Sequence, residues 1–294
     1  MSDWGKGVIN DIGWGQGANN DIAWGSIYGK SNAGQTLLSS SEGILNKFPG
    51  ASLGLSLELL DKDYSGFCIK VRRTSNQDEL DIGFVDGVLD IATLLTFVGS
   101  GNGFVTIIYD QVGSNNMTQN TAILQGQIVS NGEVILKGGK PCIIRRSASN
   151  DGGYLSTYAP NDGATVKGLF YVGDNEGKKS CMYGSFNGSN DRGVFCEASI
   201  NTTVDSRQTI TANKVNGVDV TFTNRQDSLD KLNKHFLLYR EIDFNFDSNV
   251  LGLGFRQEVP VDFGMMTFQE QVVFENRDDA VAKENNVNSR YNIY

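Results

Sequence analysis

From residue 53 onward the chain alternates short apolar runs with clusters of Gly, Asn, Asp and Ser. The runs at 53–60, 67–72, 103–109, 126–129, 168–172, 194–199, 218–222, 236–244 and 259–274 are rich in Val, Ile, Leu, Phe and Tyr, as strands bounded by turns are. This spacing predicts a β-sandwich rather than a helix bundle. Three stretches break the pattern. TLLSSSEGILNKF, at 36–48, reads as a short helix stopped by Pro49-Gly50. In LDIATLLTFVG, at 89–99, Asp90 can cap, Ile91, Leu94, Leu95 and Val98 share one face, and Gly99 terminates. The closing text ENRDDAVAKENNVNSRY begins with acidic residues, suited to the positive end of a helix, and carries Val281 and Val287 for a shared face against the sandwich.

The first tenth of the chain follows no such pattern. Trp4, Trp14 and Trp24, the three tryptophans of the protein, recur at a spacing of ten, each followed by Gly; Asn10-Asp11-Ile12 returns as Asn20-Asp21-Ile22. A helix would have to carry Gly5, Gly7, Gly13, Gly15 and Gly17 at about 1 kcal/mol each, and strand alternation is equally foreign to this text. The segment reads as a set of turns exposing Trp4, Trp14, Trp24, Ile12, Ile22 and Tyr28 as separate anchors. Two parts follow: an attachment segment at 1–35 and a β domain at 36–294.

Composition narrows the function classes. With 35 Gly against 4 Pro the chain is turn-rich, and a net charge of -9 argues against nucleic acid as a partner. No apolar run approaches the roughly eighteen residues of a membrane span, so membrane insertion is not expected. Cys68, Cys142, Cys181 and Cys196 lack paired spacing, and His235 is the one histidine. No metal site or other cofactor is therefore expected, and the cysteines read as buried free thiols.

Two stretches carry a resemblance. CIKVRRTSNQDELDIGFVDGVLDIATLLTFVGSGNGFVTIIYDQVGSNNMTQ, at 68–119, resembles the jelly-roll domain of the α-L-arabinofuranosidase B family, above all through FVTIIYDQVGSNNMTQ. FQEQVVFENRDDAVAKENNVNSRYNIY, at 268–294, is similar to the closing strand and helix of the copies found in bacteriophage virion proteins. The Trp-Gly decapeptides look like the N-termini of fibre-type proteins in crAss-like and related phages of Bacteroidetes. The resemblance implies a concanavalin A-like jelly-roll sandwich with a few short helices and an extended N-terminal anchor.

It also implies a role. The main expectation is a structural virion protein, a head or tail fibre or decoration protein made in the host cytoplasm. Residues 1–35 would hold it to capsid or tail proteins, and it would form a homotrimer displaying the jelly roll toward host-surface or mucus glycans. The alternative is a glycoside hydrolase acting on capsular or arabinose-containing polysaccharide.

The family's chemistry needs two carboxylates, a nucleophile and an acid. Glu197, in GVFCEAS, aligns with the nucleophile, or is a surface residue on a strand; GLGFRQE offers Gly254-Phe255-Arg256-Gln257 where the acid is expected. Arg and Gln cannot protonate a leaving group, so the chain is expected not to be an enzyme. Asp243 and Asp247 read as surface solvation, and His235 as a residue at a helix-to-strand junction. Residues 99–103, GSGNG, lack the Lys-Ser/Thr of a phosphate loop. Tyr109, Asp110 and Gln111 can bind a sugar by stacking and hydrogen bonds, or organise the following turn through side-chain to backbone bonds. Arg72 and Arg73 are expected to pair with Asp78, Glu79 or Asp81.

Overall fold

A computed structural model describes residues 43–144, 154–156, 165–185, 192–196, 198–201, 209–245, 251–253, 264–265 and 267–294. The chain divides into Met1–Ser41 and Glu42–Tyr294, and every described residue belongs to the second unit. The anchors Trp4, Ile12, Trp14, Ile22, Trp24 and Tyr28 lie outside the described residues.

The described chain begins with α1 (Ile44–Lys47), β1 (Ala51–Ser56), β2 (Ile69–Arg73) and β3 (Glu79–Ile82). The hairpin β4 (Phe84–Val85) and β5 (Val88–Leu89) leads into α2 (Ile91–Val98), then β6 (Gly103–Ile108), β7 (Met117–Thr118), β8 (Gln127–Ser130) and β9 (Glu133–Val134). After β10 (Leu136–Lys137) and β11 (Lys140–Pro141) come β12 (Tyr154–Ser156), β13 (Thr165–Asp174), β14 (Ser180–Ser185) and β15 (Arg192–Cys196). The last part holds β16 (Thr209–Val215), β17 (Val218–Asp219), α3 (Arg225–Lys231) and β18 (Phe236–Asn245). It closes with β19 (Leu251–Leu253), β20 (Gly264–Met265), β21 (Thr267–Phe274) and α4 (Ala280–Tyr291).

These strands form two main sheets. One is six-stranded and antiparallel, in the order β1-β21-β13-β18-β16-β17. The other runs β15-β14-β19-β12-β7-β6-β2-β3, with β20 beside β14, β8 beside β6 and β9 beside β8. The main core lies between them: Leu53, Leu55, Leu169, Tyr171, Leu238 and Val273 from the first meet Ile69, Val71, Val105, Ile108, Met182 and Val194 from the second. The fold is the expected β-sandwich of jelly-roll type.

A second core covers the other face of the six-stranded sheet. Phe170, Val172, Leu237, Tyr239, Val272 and Phe274 pack under Ile44 and Phe48 of the α1 region and Val287 and Tyr291 of α4. Strand β21 is consequently buried along its whole length. Burying Val287 and Tyr291 stabilises the docked helix by roughly 1.5–3 kcal/mol each.

The helix expected at 89–99 forms as α2. Asp90 accepts from Thr93 N at 2.9 Å, Leu94 and Val98 are buried, and Gly99 ends the helix at φ 65°. Of the helix expected at 36–48, residues 36–42 lie outside the described residues and the rest holds the single turn α1, with Ile44 and Phe48 buried and Leu45 packed against the same cluster. One expectation needs correcting. Val281 and Val287 do not share a buried face: Val281 is 59% exposed while Val287 is 0% exposed. Six residues are about 600° of helix, which turns the two side chains well apart.

Candidate functional site

Tyr109-Asp110-Gln111 follows β6 directly and joins the two sheets. Asp110 Oδ1 accepts from Gly54 N at 2.9 Å and Val112 N at 3.0 Å, and Oδ2 accepts from Gly113 N at 3.1 Å and Asn115 N at 3.2 Å. Gln111 Oε1 accepts from Leu60 N at 2.7 Å while Nε2 donates to Glu58 O at 2.9 Å and Ser56 O at 3.3 Å. Both side chains are buried. Their polar atoms are spent on the turn at 112–115 and on the chain leaving β1, so they do not present groups to a ligand.

Tyr109 differs. Its hydroxyl donates to Asp81 Oδ1 at 2.6 Å, and its ring lies 6.1 Å from that of Phe67. Burial, then the Asp81 carboxylate, push the phenol above its ordinary range, so it stays a neutral donor. Beside it, Arg73 pairs with Asp78 at 2.6 Å as the sequence led one to expect. Arg72 instead donates to Gln125 Oε1 at 2.8 Å and Gln77 Oε1 at 2.5 Å, with its guanidinium 5.3 Å from the Phe104 ring.

Sequence inspection missed a buried acid–base cluster under α4. Arg290 grips Glu270 with both terminal nitrogens, Nη2 donating to Oε1 at 2.6 Å, and lies 3.8 Å from Glu58 Oε2. Glu270 Oε2 also accepts from Ser56 Oγ at 2.9 Å and Tyr291 Oη at 3.2 Å, and Lys140 pairs with Glu58. Burial pushes the Glu58 carboxyl up, against the lowering pull of Arg290 and Lys140. Burial alone would lower the Arg290 guanidinium, but Glu270 beside it raises it overall. These carboxylates face each other across a shared cation in the protein interior, so the cluster fastens α4 to the sheet and offers no open acid for catalysis. The signal was available in FQEQVVF, where three polar residues interrupt an apolar strand.

Ser180 of β14 has Cys196 of β15 as its partner on one side and Gly264 of β20 on the other. Glu197 is the residue after Cys196, and it lies outside the described residues, as do 254–257 and Asp247. Asp243 belongs to β18, in the sheet opposite β14. His235 precedes β18, where its Nε2 is 2.6 Å from Gln269 Oε1; α3 ends four residues earlier, at Lys231. Cys68, Cys142, Cys181 and Cys196 are free and buried, and burial pushes the Cys142 thiol up to about 12. Among the described residues no three His, Cys, Asp or Glu side chains gather as a metal-binding group.

No protein-family model matches this sequence, and no curated protein matches it. Solved structures do match in shape. A glutamine mutant of a GH54 α-L-arabinofuranosidase soaked with 4-nitrophenyl α-L-arabinofuranoside aligns at TM-score 0.53 and 14% identity, covering 83% of this chain and 64% of that one. An arabinofuranosidase complexed with arabinofuranosyl-α-1,2-xylobiose aligns at TM-score 0.54 and 14% identity, and a GH54 enzyme soaked with a cyclic sulfate inhibitor at 0.52 and 15%, with the same coverage. The chain thus spans about two-thirds of the length of these enzymes, and the likeness is one of fold.

These matches overturn the expectation that the chain is not an enzyme, since the structures sharing its fold are those of glycoside hydrolases. That expectation rested on the absence of an acid at 254–257. The strand that pairs with β14 near Ser180 is β20, which begins at Gly264, C-terminal to that stretch.

Proposed function

We propose that the chain is a glycoside hydrolase acting on arabinofuranosyl-bearing glycans, with Glu197 as nucleophile and Asp262 as acid. The observation that carries this reading is the likeness in fold to arabinofuranosidases across 83% of the chain. Strand pairing adds support, because Cys196, Ser180 and Gly264 stand abreast. Glu197 adjoins the first and Asp262 precedes the last by two residues. With neighbouring strands about 4.8 Å apart, chain positions on either side of β14 are roughly 10 Å apart at the backbone. A retaining glycosidase needs its two carboxyl groups roughly 5 Å apart.

In that chemistry Glu197 attacks the anomeric carbon, and Asp262 gives its proton to the departing glycosidic oxygen. Asp262 then takes a proton from the water that hydrolyses the glycosyl-enzyme bond. The test is release of 4-nitrophenol from 4-nitrophenyl α-L-arabinofuranoside and of arabinose from arabinoxylan. Glu197→Gln should abolish both. Asp262→Asn should lose far more on arabinoxylan, because nitrophenolate leaves with little protonation. Absence of turnover by the intact chain on both substrates would overturn the reading.

A second reading concerns location, and the ten-residue Trp-Gly repeat favours it. Residues 1–35 serve as the segment that fixes a homotrimer to the capsid or tail of a phage particle. Each buried Trp contributes roughly 1.5–3 kcal/mol before ordering costs, multiplied through avidity across several chains. Deleting residues 1–30 should leave a folded domain that no longer joins particles; assembly at normal copy number would refute the attachment.

A further inference from the structure

The two sheet edges of the jelly roll carry different chemistry. The proposed catalytic strands β14 and β15 lie at one end of the larger sheet, and β2 and β3 at the other. From β14 to β2 the order passes β19, β12, β7 and β6, five strand spacings or about 24 Å.

At the β2–β3 end an aromatic ring stands in solvent with its mounting rigidly built. Phe67 is 49% exposed, and its carbonyl accepts from Tyr64 Oη at 2.9 Å. Tyr64 in turn packs edge-on against Phe84 at 6.3 Å. Gly66 lets the Tyr64 ring fold back under this turn, since a Cβ there would sit 2.4 Å from the Tyr64 hydroxyl. Tyr109 continues the surface, its ring tilted 48° to that of Phe67. The result is an angled pair of rings, one mostly apolar and one with a polar tip.

The polar rim is charge-balanced. Lys70 Nζ lies 3.7 Å from Asp81 Oδ1, which also accepts from Tyr109 Oη. Both charged side chains are close to 30% exposed, so they meet solvent. Asp81 Oδ2 accepts no hydrogen bond among the described residues, and the Tyr109 hydroxyl, having donated, keeps lone pairs free to accept. Glu79, exposed on the same edge strand, adds negative charge. A ligand matched to this surface has an apolar face of ring dimensions, adjacent hydroxyls that donate to Asp81 and accept from Lys70, and no negative charge of its own. Polyanions are disfavoured by the paired rim and by the chain's net charge of -9.

We propose that Phe67, Tyr109, Asp81 and Lys70 form a surface site for a neutral polysaccharide, separate from the β14 strands, which holds a glycan polymer on the domain. It rests on the reading that this chain acts on glycans. Holding a polymer at a second point raises the local concentration of its side branches at the catalytic end without adding contacts there. Asp110 and Gln111, the neighbours in sequence that look equally suited to sugar, have no part in it because they are buried.

The experiment pairs affinity electrophoresis of the full chain in arabinoxylan gels with turnover of 4-nitrophenyl α-L-arabinofuranoside. Phe67→Ala should weaken arabinoxylan binding about tenfold, the scale of one lost aromatic face, and leave turnover of the small substrate unchanged. Asp81→Asn, which keeps the side chain's size, should weaken binding without altering near-ultraviolet circular dichroism. The proposal fails if the intact chain is not retarded by arabinoxylan, if Phe67→Ala is retarded as strongly as the intact chain, or if polygalacturonate binds more tightly than arabinoxylan. Phe67-dependent binding in a protein that cleaves neither substrate would uphold this site and sink the hydrolase reading.

Discussion

Asp110 shows how a residue that looks made for a ligand can be consumed by the fold. Four backbone N–H groups converge on its two oxygens. Asp110→Asn puts an amide nitrogen where one oxygen stood and leaves two of those donors without an acceptor. It should cost about 2–4 kcal/mol in urea denaturation, against little change for an exposed Asp on the same face. His235 offers a second residue-scale check, being the one imidazole in the chain. Burial, with Lys137 adding to it, lowers its pKa below the ordinary 6.5 despite the bond to Gln269. A depressed folded value means stability is present above pH 6.5 and is lost as the pH falls through the folded pKa. NMR titration should follow one imidazole that protonates below 6.5, and a value at or above it would contradict the described contacts.

At the scale of elements, α4 is held by both packing and charge. Val287 and Tyr291 fill apolar space while Arg290 neutralises two buried carboxylates. Arg290→Met removes the cation and leaves Glu270 and Glu58 under the helix, so it should cost roughly 3–5 kcal/mol. The double variant Glu270→Gln with Arg290→Met should recover part of that loss, measured as a double-mutant cycle. Additive losses would mean that the ion pair is not what fastens the helix. α2 was legible because its cap, stripe and terminator are local in sequence. α1 and α4 were less so: which side of each is covered depends on a sheet face assembled from β13, β18 and β21.

At the scale of the whole molecule, the larger sheet joins one end rich in rings to another where β15 and β20 flank β14. The hydrolase and attachment readings are compatible, since a particle-borne enzyme needs both a grip on its particle and a grip on its substrate. Deletion of residues 1–30 should therefore leave 4-nitrophenyl arabinofuranoside turnover unchanged while abolishing incorporation. Turnover lost together with the leader would tie residues 1–30 to catalysis instead.

The sequence by itself determined the strand-rich class, the position of α2 and the Arg73–Asp78 pair. All of these depend on composition or on residues close along the chain. It also carried the family likeness, read from the text around Tyr109-Asp110-Gln111 and the closing strand. Only the tertiary structure decided what that triplet does, that Arg290 sits between two acids, and that Ser180 has Cys196 and Gly264 on its two sides. Those facts join residues far apart in sequence, such as Gly54 with Asp110 and Ser56 with Glu270. Strand order, which no local pattern encodes, brings them together.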